Sequence, residues 1–204
     1  MQENQRKQEF YNVIKNRRSI RVVGNEGIIS QKTLEDIIGN AVKYSPTAFN
    51  AQEQQVILLL GSRHKWFWSL VKEKLRAIVP EEKFSDTDKK INGFADGVGT
   101  ILTYQDTDTT KKLQEQFPNY KDNFPIWAHQ STGMLKYTIW TSLVSEGYGV
   151  SLQHYTELIE KDVQEELNIN PSWKMNGQIP FGTPMENPEE KEFMPLEKRM
   201  LIFR

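Results

Sequence analysis

The sequence predicts an α+β protein, on three observations. Apolar residues recur at helical spacing in several separate stretches, and short apolar runs bounded by turn residues lie between them. Helices and strands therefore interleave, but few regular β-α-β units can be drawn. A chain of 204 residues suits one domain with a real interior, spanning residues 1–204.

Phe10, Val13 and Ile14 lie at i, i+3 and i+4, marking one face of a first helix over residues 4–17. Ser30 caps a second, whose buried stripe is Leu34, Ile37, Ile38, Ala41 and Val42 and which Pro46 stops. Val56–Leu60 is short and apolar throughout, as in a strand covered on both faces. Gly61-Ser62 turns into a third helix with Ser62 as its cap and Trp66, Leu70, Val71, Leu75 and Ile78 inward. Pro80 follows its end, and residues 81–92 form a short polar helix.

Gly97-Val98-Gly99 precedes a strand over Thr100–Tyr104. A dinucleotide fingerprint does not fit there, because Leu102 stands where the third glycine belongs and the glycines precede the strand. Close backbone packing is the better role. A short helix near 108–117 leads to the longest one, over 122–146, with Gly147 as its C-terminal stop. Gly149–Tyr155 reads as a strand or extended loop, Leu158–Leu167 as a helix, and Trp173–Pro180 as a strand. The tail beyond Gly182 carries Pro184, Pro188 and Pro195, then turns apolar at Met200–Phe203, an end that needs a surface to dock on.

Composition narrows the function. The net charge of −1, from 26 basic and 27 acidic residues, argues against bulk electrostatic binding of nucleic acid. With no cysteine, thiol nucleophiles, disulfides and thiolate-bound metals are excluded. No histidine pair has metal-ligand spacing, so no metal site is expected, and His64 and His129 read as structural or surface residues. Asp86/Asp88 and Asp106/Asp108 fail as calcium loops, since Ile91 and Lys111 occupy the position that needs glycine. No nucleophile elbow occurs. The polar Met1–Gln8 stretch is no secretory signal, and no run spans a bilayer, so a soluble cytoplasmic protein is expected, with no membrane partner.

Two stretches stand out. Asn16-Arg17-Arg18-Ser19-Ile20-Arg21 puts three guanidinium forks and a hydroxyl at the end of a helix, a donor set matched to phosphate oxygens. Cations in a last helical turn also simply complement the helix dipole. Ser45-Pro46-Thr47-Ala48-Phe49-Asn50-Ala51-Gln52 ends one helix with a turn and places amides just before a strand, where they can pair with a planar heterocycle. In this order, with Pro180-Phe181-Gly182 and Leu196-Glu197-Lys198-Arg199, these stretches resemble the nitroreductase family of FMN-dependent oxidoreductases. The resemblance is greatest to the branch of the yeast fatty-acid-repression protein and its small bacterial relatives.

That resemblance implies a central, mostly antiparallel sheet flanked by helices, and a homodimer in which the tail from 182 to 204 crosses to the partner subunit. It implies FMN as cofactor. Arg17, Ser19 and Arg18 would serve the phosphate and ribityl chain, and Arg21 would be an electrostatic cation near the ring. Pro46, Thr47, Ala48 and Asn50 would reach the flavin of the partner subunit. Backbone amides of Gln153 and His154 would meet the ring, where the family often has Glu-Gly. Lys90 and Arg199 would be further phosphate cations. No protein side chain needs to act as acid, base or nucleophile, since a flavin supplies its own reactive atoms. The activity implied is ping-pong hydride transfer from NADH or NADPH to a nitroaromatic or quinone. The alternative is an FMN-binding regulator that senses redox state or a lipid with little turnover.

Overall fold

The computed structural model describes residues 2–204, with side chains from Gln8 onward; Met1, the first residue of the polar N-terminal stretch, lies outside the described residues. Seven α-helices are described: α1 (Gln2–Asn16), α2 (Gln31–Tyr44), α3 (Gly61–Arg76), α4 (Glu81–Ala95), α5 (Thr107–Gln116), α6 (Asn123–Ser145) and α7 (Thr156–Glu166). The strands are β1 (Val23–Gly24), β2 (Gln54–Leu60), β3 (Gly99–Asp106), β4 (Gly149–Val150) and β5 (Trp173–Pro184). The order β2-β3-β5-β1 is antiparallel throughout, and β4 also joins β5. The α+β class and the helix-flanked antiparallel sheet are as expected.

Alternation along β3 divides the core. Leu102 and Tyr104 enter one layer with Phe67, Trp68, Phe94 and Ile159 of α3, α4 and α7. Ile101 enters the other with Leu34, Ile38, Leu135 and Ile139 of α2 and α6. His64 is structural: its Nδ1 lies 2.9 Å from Thr100 Oγ1 and its Nε2 donates to the Ala95 carbonyl at 3.1 Å. Burial lowers its pKa to about 4, so the ring is neutral.

Local signals set several boundaries as read. Ser30 Oγ accepts from the Thr33 amide at 3.1 Å, capping α2. Gly147, at φ 92°, ends α6 with paired bonds from Gly147 N to Val144 O and Tyr148 N to Leu143 O. Both glycines before β3 pack closely: a Cβ on Gly97 would fall 2.7 Å from the Phe181 carbonyl, and one on Gly99 would fall 2.6 Å from Leu60 Cδ2.

Three expectations need correction. The cap of α3 is not Ser62, because β2 runs into the helix at Gly61, whose φ of 53° makes the turn. Ile78 is 61% exposed, lying beyond the last turn of α3 rather than on its inner face. Val56–Leu60 is covered on both faces as read, with Ile57 and Leu59 against one core layer and Val56, Leu58 and Leu60 against the other, although β2 is an outer strand and only Leu59 is fully buried. Phe10 is 63% exposed, so the apolar stripe of α1 is open there, while Val13 and Ile14 are half-buried. Among the described residues no helix is long and apolar enough to cross a membrane.

Candidate functional site

Residues 149–153 run along β5 on the edge opposite β3 and bring the basic stretch to them. Ser151 N bonds Pro180 O at 3.2 Å, and Gln153 pairs with Gln178 in both directions at 2.7 and 2.9 Å. Ser19 forms a parallel bridge to Val150, and Ile20 N donates to Val150 O at 3.0 Å. Ile20 enters the core while its neighbours Ser19 and Arg21 are exposed. The sheet thus joins the Arg17–Arg21 stretch, at Ser19 and Ile20, to Val150 at the start of the segment that continues to Gln153 and His154.

Arg17, Arg18, Ser19 and Arg21 line one concavity of about 520 Å³. The Arg17 guanidinium lies 4.4 Å from the centroid of Trp140 on α6, a cation–π contact. Trp140 Nε1 is buried with no acceptor among the described residues. The segment after β5 folds over the cluster. Glu186 Oε1 accepts from the Arg21 and Val22 amides at 2.6 and 3.2 Å, and Arg18 Nη2 donates to the Glu189 carbonyl. Three guanidinium groups and a hydroxyl make a donor set suited to a phosphate-bearing group, while the Glu186 carboxylate, which occupies two backbone amides there, would compete with such an anion.

Gln153 and His154 differ from the expectation that both present backbone amides. The Gln153 amide is committed to Gln178, because this segment is paired into the sheet. The His154 amide has no protein acceptor among the described residues, while Tyr155 N donates to Gln178 Oε1 at 2.7 Å. His154 opens onto a separate cavity of about 610 Å³ with Tyr155, Thr156, Met175 and Asn176. Partial burial and the nearby charge of Lys136 push the His154 pKa below its ordinary value.

Pro46, Thr47 and Ala48 line a third, more apolar cavity of about 500 Å³ with Phe49, Trp127 and Met134. Phe49, Asn50 and Gln52 hold φ values of 57°, 53° and 54° on either side of a right-handed Ala51, a conformation that non-glycine residues adopt only when packing enforces it. Thr47 Oγ1 accepts from the Gln52 amide at 3.1 Å, and Phe49 meets Phe117 and Phe124 at centroid distances of 4.9 and 5.4 Å. Trp127 lies 13 residues before Trp140 on α6. At 1.5 Å per residue that is about 20 Å, so within one chain the loop and the arginine cluster stand apart.

Lys90 projects from α4 with its Nζ 5.7 Å from the Tyr155 ring, and is not among the residues lining the Arg17–Arg21 concavity. Arg199 follows a short turn at Leu196–Lys198 in the exposed tail and lines none of the three cavities. Two buried ionisable groups escaped the sequence reading. Lys136 sits on the inner face of α6, and its spacing from Thr132 and Ile139 was the available signal. Glu53 follows the second stretch directly and is 2% exposed; its Oε2 has no partner, and burial raises its pKa.

An antiparallel sheet between two helical layers, with an arginine cluster lining a concavity beside its edge, is an arrangement suited to holding a phosphorylated cofactor. The chain matches the Nitroreductase family over residues 14–183 and belongs to that family. It is 30% identical over 191 residues to the nitroreductase FRM2 of Saccharomyces cerevisiae, covering 91% of this chain and 93% of that one. HBN1 of the same yeast is 28% identical over 168 residues, covering 82% of this chain and 83% of HBN1. Among solved structures, nitroreductase CinD from Lactococcus lactis in complex with nicotinic acid superposes with a TM-score of 0.89 at 36% identity, covering 96% of this chain and 100% of CinD.

Proposed function

We propose that the chain is an FMN-dependent NAD(P)H oxidoreductase acting on nitroaromatics or quinones, working as a homodimer. The observation that supports this reading most is the Ser19–Val150 bridge, which joins the phosphate-type donor cluster to the start of the segment that carries the free His154 amide. CinD complexes with chloramphenicol and 4-nitrophenol add support, since both ligands are nitroaromatics. FMN, when bound, supplies the redox chemistry, accepting hydride from the nicotinamide and passing electrons to the acceptor.

The residues of the chain bind and orient. Arg17, Arg18 and Ser19 hold the phosphate and ribityl oxygens, Arg21 supplies positive charge to the ring, and His154 offers its amide. Lys90 and Arg199 add phosphate cations, with Arg199 delivered by the tail. Pro46, Thr47, Ala48 and Asn50 serve the flavin of the partner subunit, which their distance along α6 from Arg17 supports. One domain spans 1–204, and its 182–204 tail docks on the partner. Support for the dimer is the exposed apolar surface of a single chain: Leu201 and Phe203 are 76% and 90% exposed, beside the open stripe of α1.

The test is the visible spectrum of the purified protein before and after anaerobic NADH or NADPH, followed by turnover with a nitroaromatic. Flavin absorbance that bleaches with the nucleotide and returns with the acceptor is expected. A colourless protein that takes up no added FMN overturns the reading. Bleaching without turnover would instead favour a regulator.

A further inference from the structure

Lys136 is the only buried lysine or arginine among the described residues, and no carboxylate lies within ion-pair distance of it there. Burying a cation without a counter-charge is costly, so dipoles must hold it. Its ammonium donates to both oxygens of Asn176: the backbone carbonyl at 2.7 Å and the side-chain oxygen. Asn176 is the extra residue of a bulge in β5. Thr103 faces Gly177 and Tyr104 faces Met175, leaving Asn176 without a partner in the ladder. Bulges concentrate beside active sites, where they re-aim the chain. The other side of the ammonium is also crowded. A Cβ built on Gly177 would lie 3.3 Å from Lys136 Nζ and 3.5 Å from the Gln153 carbonyl. The lysine is therefore held between the bulge and the Gln153–His154 segment.

A neutral donor would satisfy Asn176 without the cost of a buried charge. An ammonium adds a full positive charge next to the segment whose free amide faces the His154 cavity. Uptake of hydride adds two electrons and one proton, hence one net negative charge. We propose that Lys136 is a positioning and charge-supplying residue for the flavin edge served by His154, anchored on the Asn176 bulge and stabilising the negative charge gained on reduction. This rests on the FMN reading above. It also sets Lys136 apart from Arg21. Burial lowers the Lys136 pKa to about 8, so its charge can be switched off within a workable pH range, whereas a guanidinium stays charged. The other ionisable groups around it are His129, which reaches Asn176, His154 and Glu157 at the cavity, and Glu160, which accepts from the Met175 amide. All four remain in a Lys136 variant, so the difference from wild type isolates the lysine.

The experiment measures the FMN reduction potential of wild type, K136M and K136R by anaerobic titration against a reference dye. It runs across a pH range bracketing about 8, with fluorescence titration giving oxidised FMN affinity. In K136M at neutral pH the ratio of reduced to oxidised FMN affinity should fall about tenfold, a drop of about 30 mV for a two-electron couple. That gap should close as pH rises and the wild-type lysine loses its charge. K136R should keep the wild-type potential at neutral pH and stay above K136M at high pH. A K136M potential equal to wild type, or a gap that does not change with pH, overturns the proposal and leaves Lys136 as a clamp on the bulge. Should both variants fail to fold, the wild-type potential must itself fall more steeply through about pH 8, and a profile without that inflection overturns the proposal equally. Flavin-loaded wild type with an unmoved potential sinks this inference alone, whereas wild type that binds no FMN sinks the reading beneath it.

Discussion

The Arg17–Arg21 stretch and the Pro46–Gln52 stretch are held by opposite means. The first is polar and extended, and the sheet fixes it through Val150 on one side and Glu186 on the other. The second is a tight loop with three left-handed residues, wedged against an aromatic cluster of Phe117, Phe124 and Trp127. Charge and donor direction matter at the first, and shape at the second. Helix α6 touches both, through Trp140 at one end and Trp127 at the other. Two regions of such different character, set apart along one helix, are what the proposed dimer would bring together from two copies of the chain.

The largest effect is expected at the polar half. Arg17→Ala should weaken FMN binding by about 1.5–3 kcal/mol, the range for a hydrogen bond to a charged group. Lysine at 17 should restore only part of it, because the planar fork is lost. Arg199→Ala should match it if the tail reaches the same phosphate. Fluorescence titration of FMN measures both, and unchanged affinity in both alanine variants would mean that the cluster is only a solvated helix end.

Arg21→Ala is a cleaner probe of charge, since its backbone amide can still donate to Glu186. A differential interaction of about 1.5–3 kcal/mol would lower the FMN reduction potential by about 30–60 mV, with less loss of affinity than Arg17→Ala. A potential within a few millivolts of wild type would take Arg21 out of the site.

The shape-determined half has a pH signature. Burial raises the Glu53 pKa in the folded chain above its ordinary value of 4.5. The sign follows from linkage: the neutral carboxyl is favoured inside, so its contribution is complete below the ordinary pKa and is lost as pH rises through the raised one. The stability of wild type relative to Glu53→Gln should therefore decline with rising pH above about 4.5 in denaturant titrations. A difference independent of pH would show that the carboxyl is solvated in solution.

The smallest effect is expected at Asn50. Glycine accepts a φ of 53° without strain but adds freedom to the unfolded chain, so Asn50→Gly should leave stability within about 0.5 kcal/mol. FMN affinity should still fall by about 0.5–1.5 kcal/mol if the amide is a ligand. Calorimetry and flavin titration on the same variant separate backbone from side chain, and a change in stability alone would assign Asn50 to the loop.

Much of the chain was legible because its instructions are local. Ser30, Pro46 and Gly147 act within a few residues of themselves, and their caps and stops stand where the sequence put them. The same locality misled at Ser62, where a good capping residue was passed over because β2 enters α3 through the left-handed Gly61. The donor types of the basic stretch were also written in the sequence, since three guanidinium groups and a hydroxyl need no fold to be recognised.

Long-range pairing decided the rest. The 149–153 segment pairs with β5 and so spends the Gln153 amide while leaving that of His154 free. A one-residue bulge at Asn176, visible only once β3 and β5 are in register, turns a lysine in an apolar helix into a clamped charge. The sequence by itself determined which elements form and which chemistry the first stretch can offer, because these depend on neighbours one helical turn away. Only the tertiary structure decided which groups meet, because sheet register is a contact between residues far apart in the chain, and a shift of one residue would turn every side chain to the other face.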